Sequence, residues 1–526
     1  MAVKGIKKTG EYFDSVTLML VARSLTEMEG VDDAAVVMGT EENKQILAAS
    51  GMLLDEFKDT SDTDLLIVGK AADEAKTDEV ILKAEELLIE SKQKKVSAGE
   101  HQPKSIEGAI EQIPDANMVI ISVAGRYAGD VAMEALEKGL HVMLFSDNVS
   151  IEREKELKEY GREKDLLVMG PDCGTAIING APLCFANVVK RGNIGIVAAS
   201  GTGLQEISCI IGNEGAGISQ AIGTGGRDVK EEIGGIMFIE GIKALEADAA
   251  TEVIVLVSKP PAPEVLEKVA AAIKDIKKPV VAILIGGDPE VMDRAGARAA
   301  GDLERAGLIA VALSRGESPE GIAAKLDARR KEIEKQAAEE ASQMKEGQKY
   351  LRGLFSGGTL CDETQLMFKE EIGAVYSPAP IDPDFKLDDI WKSKENTVVD
   401  LGEDEFTVGR PHPMIDFLLR KKRIVEEAKD PETAVILLDV VLGYGSNMEP
   451  GQELAPAIKE AKEIAEKDGR HIAIVCSITG TYKDPQNRKK VEKELKAAGA
   501  IVMVTNAAAS LLTVEIIKIR SQGGKK

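Results

Sequence analysis

Seven residues at the end of one apolar run, Ser200-Gly-Thr-Gly-Leu-Gln-Glu206, recur far downstream as Gly357-Gly-Thr-Leu-Cys-Asp-Glu363. Each set follows a run of strand length, GIVAAS (195–200) and YLRGLFS (350–356), and opens a helical pattern. Later runs match as well: TEVIVLVSK (251–259) with TAVILLDVV (433–441), KKPVVAILIGGD (277–288) with GRHIAIVCSITG (469–480), and LERAGLIAV (303–311) with LKAAGAIVM (495–503). The spacing between partners widens along the chain, so the second copy carries an insertion, and Pro-rich YSPAPIDPDFKLDDIWKSKEN (376–396) is the expected place. Two copies are too few for a solenoid. They predict a pair of pseudo-symmetric flavodoxin-like sheets facing each other.

Apolar runs alternating with amphipathic helical stretches extend almost end to end, the pattern of βα units around parallel sheets. The expected fold class is therefore α/β. Residues 1–103 read as a small α/β domain, and 104–190 as a Rossmann-like unit of the CoA-binding type, built on MVIISVA, HVMLFS and LLVMGPDCGTAIIN without a GxGxxG loop. Residues 191–328 and 350–521 are the two flavodoxin-like copies. Between them, 329–349 is charged and helix-favouring and reads as a solvated connector. A chain of 526 residues has room for such a set of cores.

Composition excludes several functions. The net charge is −23 and aromatics are 3%, so a polyphosphate backbone is repelled and no stacking surface is on offer. No apolar run approaches a membrane span and no export signal is visible, which predicts a cytoplasmic protein without a membrane partner. Five cysteines (Cys173, Cys184, Cys209, Cys361, Cys476) are widely spaced with no CxxC, and four histidines (His101, His141, His412, His471) are scattered. Neither a disulfide framework nor a metal site is expected. Cys361, at a helix start, and Cys173, after Gly-Pro-Asp, read as small buried residues, and the methionines as core filler.

The chemistry lies in the repeated elbow. A strand that turns directly into a helix leaves the first helical N–H groups without backbone acceptors, and the helix dipole favours an anion there. Ser200, Gly201, Thr202 and Gly203, with Gly357, Gly358, Thr359 and Leu360, are thus candidate phosphate or substrate contacts. A Ser/Thr cap with glycines for a tight turn is the alternative reading of one elbow alone. Two elbows in facing copies could converge on one anion. Gly225, Gly226 and Arg227, in GTGGRDV, are a candidate second contact, and Arg410 and His412, in VGRPHPM, hold the comparable place in copy two. His412, stiffened between two prolines, is of a type that titrates near neutrality. Glu206 and Glu363 stand one turn into each helix, either to position a substrate amide or as a favourable charge in a first turn.

MGPDCGTAIIN (169–179), GNIGIVAASGTGLQE, GTGGRDV (223–229) and VMDRAGARAAG (291–301) are similar in order and spacing to the α subunit of succinyl-CoA synthetase. Residues 350–520 resemble the carboxy-terminal domain of its β subunit, without the ATP-grasp domain that precedes it there. This fusion resembles the FdrA family, over about residues 105–520, and the leading hundred residues fit FdrA proteins. The resemblance implies a subunit of an oxamate carbamoyltransferase, interconverting carbamoyl phosphate plus oxamate with phosphate plus oxalurate, with separate partner subunits or a homodimer. In the synthetases a histidine in a GHAGA loop carries phosphate, and the matching Glu orients it. Here that position is Arg294. A guanidinium stays protonated and offers no lone pair to phosphorus, but binds phosphate in a bidentate way. Arg294, Glu206, Glu363 and His412 are accordingly the expected catalytic set, acting on an anionic small molecule with no metal, nucleotide or cofactor of the chain's own. Two other readings stand beside this one: an acid–thiol ligase that binds CoA in 104–190 and borrows its nucleotide domain from a partner, and a non-catalytic metabolite-binding scaffold.

Overall fold

The computed structural model describes residues 2–96, 103–407 and 411–522, apart from 12, 14 and 27. They divide into two compact units, one of residues 1–112 with 403–412, the other of 113–402 with 413–526.

The smaller unit is built on a three-stranded antiparallel sheet in which Leu65–Ala71 lies between Ala2–Lys8 and Val31–Met38. The central strand reads Leu-Leu-Ile-Val with no polar alternation, because both of its faces are covered. Leu65 and Ile67 pack with Leu18 and Leu25 of helix Ser15–Thr26 and Val80 of helix Glu74–Val96. Leu66 and Val68 pack the other way, with Leu47 and Phe57.

In the larger unit, Met118–Ile121, His141–Leu144 and Val168–Met169 form a small parallel sheet with helices Gly125–Glu137 and Ile151–Glu163 between its strands. The chain then leaves that sheet. Hairpin Thr175–Ile178 and Ala181–Cys184, within the stretch read from sequence as Rossmann-like, adds antiparallel to the edge of the next sheet, where Ile177 faces Ala221. A buried ion cluster also ties the two parts: Lys158 on helix Ile151–Glu163 lies 2.7 Å from Glu154 and 2.8 Å from Asp228. Asp228 in turn accepts the Met237 and Phe238 N–H groups, at the start of helix Ile236–Ala247.

The duplication is plain in the topology. In copy one, Arg191–Ala199 lies between Ile218–Gly223 and Val253–Ser258, with Val280–Leu284 and Arg298–Ala299 beyond. In copy two, Tyr350–Phe355 lies between Thr397–Asp400 and Thr433–Val441, with Ala473–Thr479 and Ile501–Met503 beyond. Both sets are parallel in the flavodoxin order, 2-1-3-4-5, so the α/β fold class with paired flavodoxin-like sheets is what the chain adopts. The extra length of copy two falls between helix Gly358–Glu371 and strand Thr397–Asp400, across the Pro-rich segment.

Two expectations need correction. LERAGLIAV (303–311) lies wholly in helix Leu303–Ser314, whereas LKAAGAIVM (495–503) is a helix end, a turn and a strand. The true partner of that turn is Asp293-Arg-Ala-Gly-Ala297: Gly296 and Gly499 both close a helix at positive φ, 96° and 95°. The misalignment arose because Ala-Gly-apolar suits a helix interior as well as a turn into a strand. The charged connector is helix Glu320–Ser342, and it is not simply solvated. Ile333, Ala337 and Ala341, spaced by four, form a buried seam within the core that both copies share, together with Leu204, Ile207, Leu360 and Phe368. Among the described residues no helix is long and apolar enough to cross a membrane.

If this seam is part of the core, Ile333→Ala should lower unfolding stability by about 2–5 kcal/mol, the range for truncating a buried aliphatic side chain. On a solvated connector the change would stay within about 0.5 kcal/mol. Denaturant melts of the full chain distinguish the two outcomes.

Candidate functional site

The two elbows meet. Ser200 caps its own helix, Gly201–Asn213, by accepting the Gly203 N–H at 3.0 Å, and its Oγ lies 2.6 Å from the Thr359 Oγ1 of the other elbow. The approach depends on glycine at two crossed positions. A Cβ on Gly203 would stand 3.0 Å from Thr359 Cγ2, and one on Gly357 would stand 2.9 Å from Thr202 Cγ2. The N–H groups of Gly201 and Thr202, and of Gly358 and Thr359, lie in first turns that supply no backbone acceptor. The expected convergence of Ser200–Gly203 with Gly357–Leu360 is thus present in the fold.

Charges cluster at this junction. The third strand of copy one ends in Ser258-Lys259, beside Ala199 in the register, at the switch point where the strand order reverses. Lys259 Nζ would lie 2.8 Å from a Cβ on Gly358, and Asp400 Oδ2 2.6 Å from it, so both groups touch the first residue of the second elbow helix. Beneath that elbow, Asp439 accepts the Ser356 N–H and hydroxyl, and buried Arg420 holds Asp439 at 2.5 Å and the Leu354 carbonyl at 2.7 Å. Copy one has apolar Val257 and Ala199 at the places of Asp439 and Ser356. Sequence reading missed Lys259, Asp400, Asp439 and Arg420. The available signal was the register itself, since every strand of a parallel sheet delivers its last residue to the same edge.

Other expected site residues are placed elsewhere or put to other uses. Arg294 is in the last turn of the short helix Pro289–Ala295, exposed, with only a 3.9 Å ion pair to Glu290. Its position on a one-sided surface helix points it to water. Arg227 bonds Glu154 at 2.8 Å and the Val149 carbonyl at 2.8 Å, so it clamps the Rossmann-like segment instead of awaiting an anion. Gly225 approaches backbone, its would-be Cβ lying 2.3 Å from the Pro171 carbonyl oxygen, while a Cβ on Gly226 would lie 3.9 Å from the Ala199 carbonyl oxygen, just before the first elbow. Arg410 lies outside the described residues. His412 groups with the smaller unit, and burial pulls its imidazole down to about 4, so it is neutral at pH 7 and not the titrating group expected. His141 Nδ1 accepts the Leu167 N–H, and His471 pairs with Glu340.

Glu206 and Glu363 are both buried and face the last helices of the copies. Glu206 accepts the Asn506 N–H at 3.0 Å and the Thr479 hydroxyl at 2.5 Å. Glu363 accepts the Leu303 N–H at 2.7 Å and the Asn506 amide at 2.8 Å. Burial raises both carboxyls, Glu363 to about 8, with the nearby Asp302 charge adding to it. Burial, with Asp400 and Asp362 close by, also pushes the Cys361 thiol well up, and Cys173 rises to about 12, so neither is a thiolate at neutral pH.

Comparison with known proteins joins these features to a family. A family profile described as CoA-ligase matches residues 354–516, and one for a CoA binding domain matches 189–286. A third, described as AllF, heavy metal-associated domain, matches 1–104. The uncharacterized protein YahF of Escherichia coli (strain K12) is 44% identical over 98% of this chain and 99% of its own length. The chain belongs to the FdrA family. Like other FdrA-type chains it is succinyl-CoA synthetase-like: the α subunit 2 of an ADP-forming succinate–CoA ligase of Archaeoglobus fulgidus is 32% identical over 35% of this chain. The chain spans 63% of that subunit's length. A dinucleotide-forming acetyl-coenzyme A synthetase of Ca. Korarchaeum cryptofilum overlays 78% of this chain and 85% of its own, at 16% identity and a TM-score of 0.33.

The heavy-metal description finds no matching ligand cluster among the described residues of this FdrA-family chain. Residues 1–104 contain no cysteine, and the described residues hold no group of three or more His, Cys, Asp or Glu suited to a metal.

Glu363 makes stability depend on pH. Its folded value, about 8, lies above the ordinary carboxylate value, so the neutral form is favoured by folding. Its contribution is fully present below about 4.5 and is lost as pH rises through about 8. Thermal midpoints of the wild type should fall between these limits, and Glu363→Gln should flatten the fall. Equal slopes in both proteins would show that Glu363 ionises freely in the fold.

Proposed function

We propose that this chain is the subunit of a carbamoyltransferase that holds a phosphorylated substrate at the junction of the two elbows. The reaction interconverts carbamoyl phosphate plus oxamate with phosphate plus oxalurate. The observation that carries the reading is the end-to-end meeting of Ser200 and Thr359 with Lys259 at the seam. First-turn N–H groups from both helices, two hydroxyls and one ammonium form a setting for a phosphate, with the Asp400 carboxylate beside the ammonium. In the forward direction the oxamate nitrogen attacks the carbamoyl carbon. The carbon–oxygen bond to phosphate breaks, its electron pair leaves with the phosphate, and the nitrogen's proton passes to that departing group. The chain's own part is to fix the phosphate and to stabilise charge as it builds on the bridging oxygen.

Relatives named as α subunits of CoA ligases support the expectation that the chain works with partner subunits. The CoA-ligase and CoA-binding profiles favour a second reading, an acyl-CoA synthetase whose nucleotide domain comes from a partner. The two differ in their ligands. CoA stabilises the chain under the second, phosphate and carbamoyl phosphate under the first.

Thermal unfolding with phosphate, carbamoyl phosphate, CoA and ATP–Mg in parallel tests this directly. A ligand at a hundred times its dissociation constant adds about 2.7 kcal/mol. The two phosphate ligands should raise the midpoint, and Lys259→Met should weaken both at least tenfold, about 1.4 kcal/mol. Protection by CoA or ATP–Mg alone, or affinity unchanged in Lys259→Met, would refute the assignment.

A further inference from the structure

Glu206 and Glu363 occupy matching places in the two elbow helices, and their bonds cross between the copies. Glu206, from copy one, takes the N–H of Asn506, the first residue of the last helix of copy two, Asn506–Gln522. Glu363, from copy two, takes the N–H of Leu303, the first residue of the last helix of copy one, Leu303–Ser314. Each last helix already has a local cap: the Asp302 carboxylate accepts the Arg305 N–H, and the Thr505 hydroxyl accepts the Ala508 N–H. The glutamates therefore satisfy a second first-turn donor, from the opposite copy. Asn506 joins the two exchanges, since its side-chain amide donates both to Glu363 and to the Leu360 carbonyl in the second elbow.

We propose that Glu206 and Glu363 are a positioning pair, a reciprocal clasp in which each copy caps the other's last helix and so fixes the angle at which the elbows present their N-termini. A contact as close as Ser200 to Thr359 tolerates little rotation of either helix, and the clasp holds each helix about one to two turns further in. The groups facing the pair come from every neighbouring element. Thr479 and Arg488 lie on the Glu206 side, Asp302 on the Glu363 side, and Glu304, itself paired with Arg329, accepts the Thr505 hydroxyl. The capping role is independent of the ligand; the positioning role rests on reading the elbows as a phosphate site.

Hydrogen exchange on the full chain separates this clasp from ordinary local packing. In Glu206→Ala, amides at the start of Asn506–Gln522 should exchange at least tenfold faster, with those at the start of Leu303–Ser314 unchanged. Glu363→Ala should show the opposite. Should either alanine variant fail to fold, Thr479→Val removes only one donor to Glu206 and should give a two- to fivefold change confined to the start of Asn506–Gln522. Acceleration confined to the mutated residue's own copy, or equal in both last helices, would overturn the clasp. The Glu→Gln variants keep an acceptor oxygen and should restore protection. In the alanine variants the affinity for inorganic phosphate should drop at least threefold, although neither carboxylate lies at the junction; unchanged affinity overturns the positioning role. If phosphate fails to bind the wild type, the functional reading falls, and the exchange pattern still decides the clasp.

Discussion

Two helices that meet N-terminus to N-terminus bring like partial charges together, and a fold built on such a meeting has to compensate them. Copy one does so with a neutral device, the Ser200 hydroxyl bonded back to Gly203 and across to Thr359. Copy two uses charge. Asp400 touches the first helical residue, while Asp439 holds the amide and hydroxyl of Ser356 just before it. Lys259, from the other copy, stands among these carboxylates. The pairing of sheets, the crossed glycines and the shared apolar core all serve to hold this electrostatically unfavourable approach in place.

The copies have thus diverged beneath a common topology. Where copy one has Ala199 and Val257, copy two has Ser356 and Asp439, with Arg420 fully buried against the latter. A buried ion pair adds little net stability when set against well-packed apolar groups, while breaking one is costly. Its value here is directional. Arg420 also grips the Leu354 carbonyl, so strand end, elbow and helix start are locked into one arrangement.

Much of this was legible in the sequence because the elbow is a local signal. Ser-Gly-Thr and Gly-Gly-Thr after an apolar run announce a strand-to-helix turn, and repetition announces the pseudo-symmetry. Residues acting across the chain were harder to see. Lys259 looks like any lysine after a strand, and only the register places it at the opposing elbow. The Glu320–Ser342 seam hides because two of its three core residues are alanines amid charges. Arg294 aligns with a functional position of the resembling enzymes, and its seven-residue helix leaves it exposed with a 3.9 Å pair to Glu290, an environment that the alignment alone does not reveal. The backbone partners of Glu206 and Glu363 are the helix starts at Asn506 and Leu303, 300 and 60 positions away, so only the fold brings them together.

The hairpin Thr175–Ile178 and Ala181–Cys184 bears on how the chain can be divided. By lying along Ile218–Gly223 it covers a border that would otherwise show unpaired amides and carbonyls to any passing strand. Residues that look from the sequence like the tail of one module thus serve as the selvedge of the next. A fragment trimmed to begin at the flavodoxin-like repeat would carry a raw margin and tend to self-associate, so the natural cut for recombination or expression lies upstream of the hairpin.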